Sequence, residues 1–517
     1  MTMPLEFVRQ GVEQFADRTA VYFGNHTLTF SEANDASNRI AAGFAEAGLK
    51  KGDHVGLVYG NGLWTISVDF ATMKSGLVRV PLNPRLSVEE HARMLAEADV
   101  NILVHDADTR ERATELLQRM PDGNALGLGC AAADGHGPNL LDEKFAGAGE
   151  PDVAIHAGDP LLLIYTSGTT GRLKAVIHTH GSFGAIGDNI LANLMSPGPD
   201  SVMLHAASLI HASGTFVLPY WSRGGASAVL SSFVPHDFAQ AIARYRVTET
   251  NVVPTMLGML FSTGALDDAD VSSLRTIIYG ASPMPRPILE RGIAHFGNIF
   301  KQYYGQTEAP LAITVLTEED HRNPELWESC GRPSSDVELR ITDKHGKPVT
   351  TGEIGEIQLR APFTMQGYYK ADELNAEMWM HGRWLRTRDM ARADDNGYIY
   401  LMDRSSDMII TGGYNVYPRE VEDVLLGHPA VAECAVVGAP DPKWVEAVTA
   451  FVVLRAGQAV SGDELRELTR SHLAGYKVPK TVRFVDSIPK TSVGKVLRRA
   501  VREQLRKEAE AKPEKAD

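Results

Sequence analysis

One stretch concentrates residues suited to chemistry: Tyr165-Thr166-Ser167-Gly168-Thr169-Thr170-Gly171-Arg172-Leu173-Lys174. Apolar runs at 161–164 and 175–178 flank it, so the spacing predicts a strand, a tight loop and a returning strand. Glycines let such a loop turn its backbone N–H groups inward, and the Ser and Thr hydroxyls add donors. A loop of this kind can wrap the oxygens of a polyphosphate, with Lys174 as a point charge. The Walker A pattern is not met, because Leu173 stands where its second glycine belongs and a strand follows in place of a helix. An ordinary hairpin turn is the bland alternative, but so dense a cluster of hydroxyls and glycines before a lysine is unusual for one. No Gly-x-Ser-x-Gly occurs, which speaks against a hydrolase built on Ser213 and His211.

The elements around this loop alternate between strand and helix. Short strands are expected at 20–23 and 27–30 about the turn Gly24-Asn25, then a helix capped by Ser31 and running to about Ala47. Strand signals at 55–59 and 78–81 enclose a helix ending near Lys74, and the rhythm returns at 251–254, 274–279 and 300–304. Such a β-α-β pattern implies parallel sheets with helices on both faces. Residues 121–158, rich in Gly, Ala and Asp, are expected to form a loose surface connection. From Gly352 the strands become short and alternating, as at 355–360 and 397–401, which suggests an antiparallel region. After Arg404 an α+β pattern follows: helices at 418–426 and 463–473, strands at 434–437, 449–454 and 483–485, and a charged helical tail over 499–517. Ser461 and Glu464 fit a capping box.

The chain has 517 residues, of which 44% are hydrophobic and 22% charged, so it is neither disordered nor low-complexity and has length for about three subdomains. Lys and Arg number 51 against 65 Asp and Glu; the net charge of −14 argues against bulk nucleic-acid binding. Cys130, Cys330 and Cys434 lie far apart, without metal-ligand or disulfide spacing. No secretory signal and no apolar run long enough to span a bilayer is visible, so a cytoplasmic location without a transmembrane segment is expected.

Further motifs follow the loop in order. They are Tyr304-Gly305-Gln306-Thr307-Glu308, Gly355-Glu356-Ile357, Arg388-Asp389, Asp403-Arg404, Gly412-Gly413-Tyr414-Asn415 and Pro489-Lys490-Thr491 through Gly494-Lys495. With the loop, they make residues 165–495 resemble the adenylate-forming enzymes: acyl-CoA synthetases, peptide-synthetase adenylation domains and firefly luciferase. The N-terminal third agrees in texture only. The fold so implied is α/β. A large N-terminal domain (1–403) of mixed α/β subdomains has parallel sheets plus a small β-barrel-like region, and a small mobile α+β C-terminal domain covers 404–517.

In that family a carboxylate attacks the α-phosphorus of ATP to give acyl-adenylate and pyrophosphate, and a thiol then displaces AMP. The resemblance implies that Thr166, Ser167, Gly168, Thr169, Thr170, Gly171 and Lys174 hold the β- and γ-phosphates. It makes Glu308 the magnesium ligand, puts Thr307 at the α-phosphate with Tyr304, Gly305 and Gln306 beside it, and has Gly280, Ala281 and Ser282 line the adenine pocket. Asp389 would accept both ribose hydroxyls and Arg404 would brace the ribose. Lys495 would reach the bridging and α-phosphate oxygens. Ser406 stands at the hinge position, where the family usually has Asp or Lys. Rotation there would withdraw Lys495 and bring Gly412, Gly413 and Tyr414 to line a pantetheine tunnel. Bland alternatives stand beside these: a solvated loop carboxylate for Glu308, a surface salt bridge with Arg386 or Arg388 for Asp389, and one lysine among many for Lys495.

His211 matches a family position beside the acyl carboxylate; a satisfied core histidine is the other reading. Phe216, Met256, Leu257, Gly280 and Tyr303 to Gly305 should line the acid pocket, and no cation is obvious there for a second carboxylate. A hydrophobic monocarboxylic acid (fatty, aryl or alicyclic) is therefore expected, with ATP, Mg2+ and coenzyme A, and dicarboxylates such as malonate are disfavoured. The alternative acceptor is a carrier protein's phosphopantetheine, which the basic run over 480–507 would suit equally. A homodimer is allowed for. A nucleotide-binding regulatory protein without chemistry is the reading from another class, against which Glu308 and Lys495 both argue.

Overall fold

The computed structural model describes residues 1–83, 86–167, 173–404, 407–411, 414–441, 444–490 and 496–510, with backbone alone at 167, 173, 403, 404 and 506–510. The chain divides into two compact units. The first holds Met1–Ala281, Gly292–Leu339 and Leu359–Leu385, the second Ser282–Arg291, Arg340–Gln358 and Arg386–Asp517.

Two sheets build the first unit. One has seven strands in the order Gly367–Tyr368, Leu173–Thr179, Pro160–Ser167, Val78–Pro81, His54–Val58, Ile102–His105 and Asn124–Gly127. From Pro160–Ser167 onward the strands run parallel; the first two pair antiparallel. Val55 and Leu57 pack with Ile40, Phe44 and Val68, whereas Val78, Val80 and Leu103 pack with Met94, Leu95 and Leu116. Both faces are thus covered, as a parallel sheet requires.

The other sheet has nine strands: Arg332–Pro333, Ala309–Leu316, Phe300–Gln306, Thr276–Tyr279, Glu249–Val252, Val202–His205, Ala226–Val229, Thr19–Phe23 and His26–Thr29. Its middle is parallel and its margins are antiparallel.

A five-stranded sheet of Glu338–Thr342, Gly355–Arg360, Trp384–Ala393 and Trp379–Met380, with Ile399–Arg404 beside Trp384–Ala393, forms the region expected to be barrel-like. The rest of the second unit is α+β. Hairpin strands Ile409–Thr411 and Tyr414–Val416 adjoin Val445–Leu454, which pairs with Val431–Asp441 and Thr481–Phe484. Helices Pro418–Leu426 and Gly462–His472 cover one face, with Val421, Leu425 and Leu465 in its core; Val501 and Leu505 of helix Arg498–Glu510 cover the other.

Three expectations are corrected. The helix Phe30–Glu46 is capped by Thr29, not Ser31: Thr29 and Glu32 exchange the reciprocal bonds of a capping box, while the residue three after Ser31 is Asn34. Residues 121–158 are not all loose, because Asn124–Gly127 adds a strand to the sheet edge and Glu143–Phe145 is a short 3-10 helix. The box at Ser461 is seen in one direction: its hydroxyl accepts from Glu464 N–H at 3.1 Å. Among the described residues no helix is long and apolar enough to cross a membrane.

Candidate active site

Parallel strands present their carboxyl ends on one edge, and the candidate residues of the first unit follow such ends. Thr166 lies at the end of Pro160–Ser167, His211 beyond Val202–His205, Gly280 and Ala281 after Thr276–Tyr279, and Thr307 and Glu308 after Phe300–Gln306. This is where open α/β sheets bind ligands.

The expected hairpin is present: Thr166 faces Lys174 in register, with Tyr165 opposite Ala175 and Ile164 opposite Val176. His178, on the returning strand, reaches across to the other sheet. Its Nε2–H donates to the Thr307 carbonyl at 2.7 Å, and Nδ1 sits 3.3 Å from the Ser182 hydroxyl. A carbonyl only accepts, so Nε2 must carry the proton and Nδ1 accepts from Ser182. Burial pushes the His178 pKa down to about 4, against the smaller opposing effect of the Thr307 bond, so the ring stays neutral. A neutral, fully buried imidazole thus ties the Thr307–Glu308 turn to the hairpin of Pro160–Ser167 and Leu173–Thr179.

Two glycines are dictated by close approach. A Cβ on Gly305 would lie 2.1 Å from the Leu311 oxygen, where the hairpin folds back through Leu311 at φ +61°. One on Gly280 would lie 2.7 Å from the Tyr303 oxygen and 2.8 Å from its ring. The Gln306 amide nitrogen is buried without a hydrogen-bond partner among the described residues, a donor left over for a ligand. Glu308 is half-buried, and its Oε1 accepts from the Tyr368 hydroxyl at 2.6 Å. Among the described residues no group of three or more His, Cys, Asp or Glu could hold a metal alone. A single carboxylate such as Glu308 nevertheless fits Mg2+, which is ordinarily held by one or two carboxylates, substrate phosphates and water.

His211 is not a buried core histidine. It is half-exposed, and its Nε2 lies 3.2 Å from the Asn83 amide nitrogen, just past Val78–Pro81. Its loop is stapled by Asn61, whose buried side chain donates to the Ala207 and Leu230 carbonyls, each at 3.0 Å, and accepts from Leu209 N–H at 2.8 Å. Loops from both sheets thereby fix the histidine. Of the expected acid-pocket residues, Phe216, Leu257 and Met256 are buried.

In the second unit Asp389 is buried rather than on the surface, and it pairs in register with Arg404 on the adjacent strand. The Arg386 guanidinium forks onto Glu356, which also accepts from Arg388 N–H at 3.1 Å. Tyr414 is 59% exposed and stacks on Tyr476, with ring centroids 4.6 Å apart. Lys490 and Val496 form an antiparallel bridge on either side of 491–495. Asp407 binds Arg502 at 2.8 Å, and Glu422 binds Arg498 at 2.5 Å. Gly168, Thr169, Thr170, Gly171, Ser406, Gly412, Gly413 and Lys495 lie outside the described residues, as do the side chains of Ser167 and Arg404. Ser282 is grouped with the second unit.

Sequence reasoning missed His178, Asn61, Asn83 and Tyr368. The available signals were weak: polar residues just past strand ends at Gly60-Asn61-Gly62 and Asn83, and a histidine closing an apolar strand.

Two protein-family models match the chain: AMP-binding enzyme over residues 8–369 and AMP-binding enzyme C-terminal domain over residues 420–495. The chain is similar to a feruloyl-CoA synthase of Amycolatopsis sp, at 38% identity over 497 residues, covering 94% of this chain and 96% of that protein. It is also similar to the medium/long-chain-fatty-acid–CoA ligase FadD8 of Mycobacterium tuberculosis (strain ATCC 25618 / H37Rv), at 36% identity over 505 residues, covering 95% and 88%. Among solved structures, the amide bond synthetase McbA from Marinactinospora thermotolerans superposes with a TM-score of 0.89 at 32% identity, covering 97% of this chain and 99% of that one.

Proposed function

Since the chain belongs to the AMP-binding enzyme family, the acyl-CoA synthetases of the adenylate-forming superfamily, we propose that it is an ATP-dependent, AMP-forming acid–CoA ligase. Its substrate is a hydrophobic monocarboxylic acid, fatty, aryl or alicyclic. A carboxylate oxygen attacks the α-phosphorus and pyrophosphate leaves. The CoA sulfur then attacks the acyl carbon, AMP leaves and the thiol proton passes to solvent.

The carrying observation is the bond from His178 to Thr307 at 2.7 Å, which fixes the phosphate hairpin against the turn that bears Glu308. Thr166, Lys174 and the loop between them hold the β- and γ-phosphates, Thr307 meets the α-phosphate, and Gly280 and Ala281 admit the adenine edge. Glu308 would hold Mg2+, and the ion when bound would supply positive charge to offset that of the phosphates and the anionic carboxylate. His211, steered by Asn83 and the Asn61 staple, orients that carboxylate. Asp389 accepts the ribose hydroxyls and Arg404 braces them.

A functional boundary at residues 403 and 404 makes the C-terminal domain a rotor. Lys495 serves adenylation, and the 409–416 hairpin with exposed Tyr414 then replaces it and lines the pantetheine path. The three free cysteines suit a reducing cytoplasm.

The test is a panel of cinnamic-type, medium-chain fatty and alicyclic acids with malonate as control, each with ATP, Mg2+ and CoA, followed by pyrophosphate and acyl-CoA. At least one apolar acid should give both products in equal amounts. Turnover with malonate alone would overturn the acid assignment. Adenylate formed without acyl-CoA would favour a carrier phosphopantetheine or, given the amide bond synthetase relative, an amine as acceptor.

A further inference from the structure

We propose that Tyr368 is a positioning residue for the metal-bound triphosphate, aiming the carboxylate of Glu308 and the ammonium of Lys174 with one side chain; the inference rests on the reading of Glu308 as the magnesium ligand. Tyr368 lies in the shortest strand of its sheet, Gly367–Tyr368, with Gly367 opposite Ile177 and Tyr368 opposite Val176 of the returning phosphate strand. Gln366 N–H donates to the Ile177 carbonyl at 2.9 Å and Tyr369 N–H to that of Ala175 at 2.8 Å. Met365 N–H donates to the Glu308 carbonyl at 2.8 Å. The segment 365–369 is therefore sewn to the phosphate hairpin on one side and to the Glu308 turn on the other.

The side chain repeats that bridge in charge. Tyr368 is only 5% exposed, so its ring is fixed by packing. Its Oη donates to Glu308 Oε1 at 2.6 Å, and Lys174 Nζ lies 5.5 Å from its ring centroid, over the negative π face. An uncharged donor holds one carboxylate oxygen without neutralising it, so the second is left to meet a cation in a defined direction. Asn375 secures the backbone from both sides: its Oδ1 accepts from Tyr368 N–H at 2.7 Å and its amide donates to the Tyr368 carbonyl at 2.8 Å. So many constraints on a two-residue strand exceed what sheet pairing needs.

The experiment compares full-length Tyr368→Phe, Tyr368→Leu and Glu308→Gln with the unaltered protein. ATP-induced thermal stabilisation is titrated against Mg2+ at fixed ATP, with ligand-free melting and metal-free ATP binding as references. Tyr368→Phe keeps the ring under Lys174 and removes the hydroxyl that binds Glu308. It should raise the Mg2+ concentration for half-maximal stabilisation about tenfold and leave metal-free ATP binding unchanged. Tyr368→Leu should also weaken metal-free ATP binding, and it carries the test if the Phe variant does not fold. A Tyr368→Phe midpoint within about twofold of the unaltered protein, with Glu308→Gln shifted, overturns the inference and leaves Glu308 as the ligand. Unaltered Mg2+ dependence in Glu308→Gln overturns the magnesium reading, and the inference with it.

Discussion

Acid should unfold this protein near pH 5, through four histidines that the fold keeps neutral. His178, His180, His205 and His321 are each no more than 1% exposed. Burial pushes His178, His180 and His321 down to about 4, and His205 to about 3. An imidazole in the unfolded chain titrates near about 6.5. Between these values the unfolded chain binds protons that the folded one refuses, so the stability these histidines allow is complete above about pH 7 and is lost as pH drops. At pH 5.5 each histidine costs about 1.4 kcal/mol relative to neutral pH, and the four together about 5–6 kcal/mol. That is comparable with the whole stability of many folded domains, about 5–15 kcal/mol. Glu249, whose carboxyl burial pushes up, titrates the other way and offsets part of the loss. The assay is urea unfolding followed by tryptophan fluorescence at pH 7.5, 6.5 and 5.5. Among the described residues His205 bonds to the Ser213 and Ser227 hydroxyls, so His205→Asn should lower the slope of stability against pH by about one proton. A free energy flat within about 1 kcal/mol from pH 7.5 to 5.5 would refute the reasoning.

Other consequences are equally specific. Asn83→Leu removes the amide that faces His211, so acid-dependent adenylation should fall about tenfold or more while thioester formation from supplied acyl-adenylate is spared; equal loss of both steps would speak against His211 as the carboxylate's guide. Lys495→Ala should slow adenylation by about a hundredfold or more and spare the second half-reaction, as read from the same two assays; parallel loss would count against rotation of the C-terminal domain. Lys74 is buried among Asn34, Ser37 and Asn38, and desolvation pushes its ammonium down to about 8. The unfolded chain then holds the extra proton up to about 10.5, so stability should rise with pH from 8 to 10 by about 2 kcal/mol, and Lys74→Met should lack that rise in urea titrations.

The elements were legible wherever local pattern decides them. The run 161–178 reads as a hairpin because two apolar strands flank a turn, and it pairs from Pro160 to Thr179. Thr29 is the better cap by spacing alone, since only it has a glutamate three residues on. The strand Asn124–Gly127 is hidden because Asn, Ala, Leu and Gly carry little strand preference; the neighbouring edge Ile102–His105 recruits it. The missed site residues act through long-range contacts. Asn83 meets His211 from 128 positions away, His178 meets Thr307 from 129 and Tyr368 meets Glu308 from 60. No periodicity records such meetings, which arise when the carboxyl ends of two sheets are brought face to face.

Adenylation by this family's chemistry passes the acid's own oxygen to the α-phosphorus. An accepted acid carrying 18O at both carboxyl oxygens, incubated with ATP, Mg2+ and CoA, should yield AMP bearing one 18O and acyl-CoA retaining the other. AMP without label, or ADP and phosphate in its place, would contradict the account.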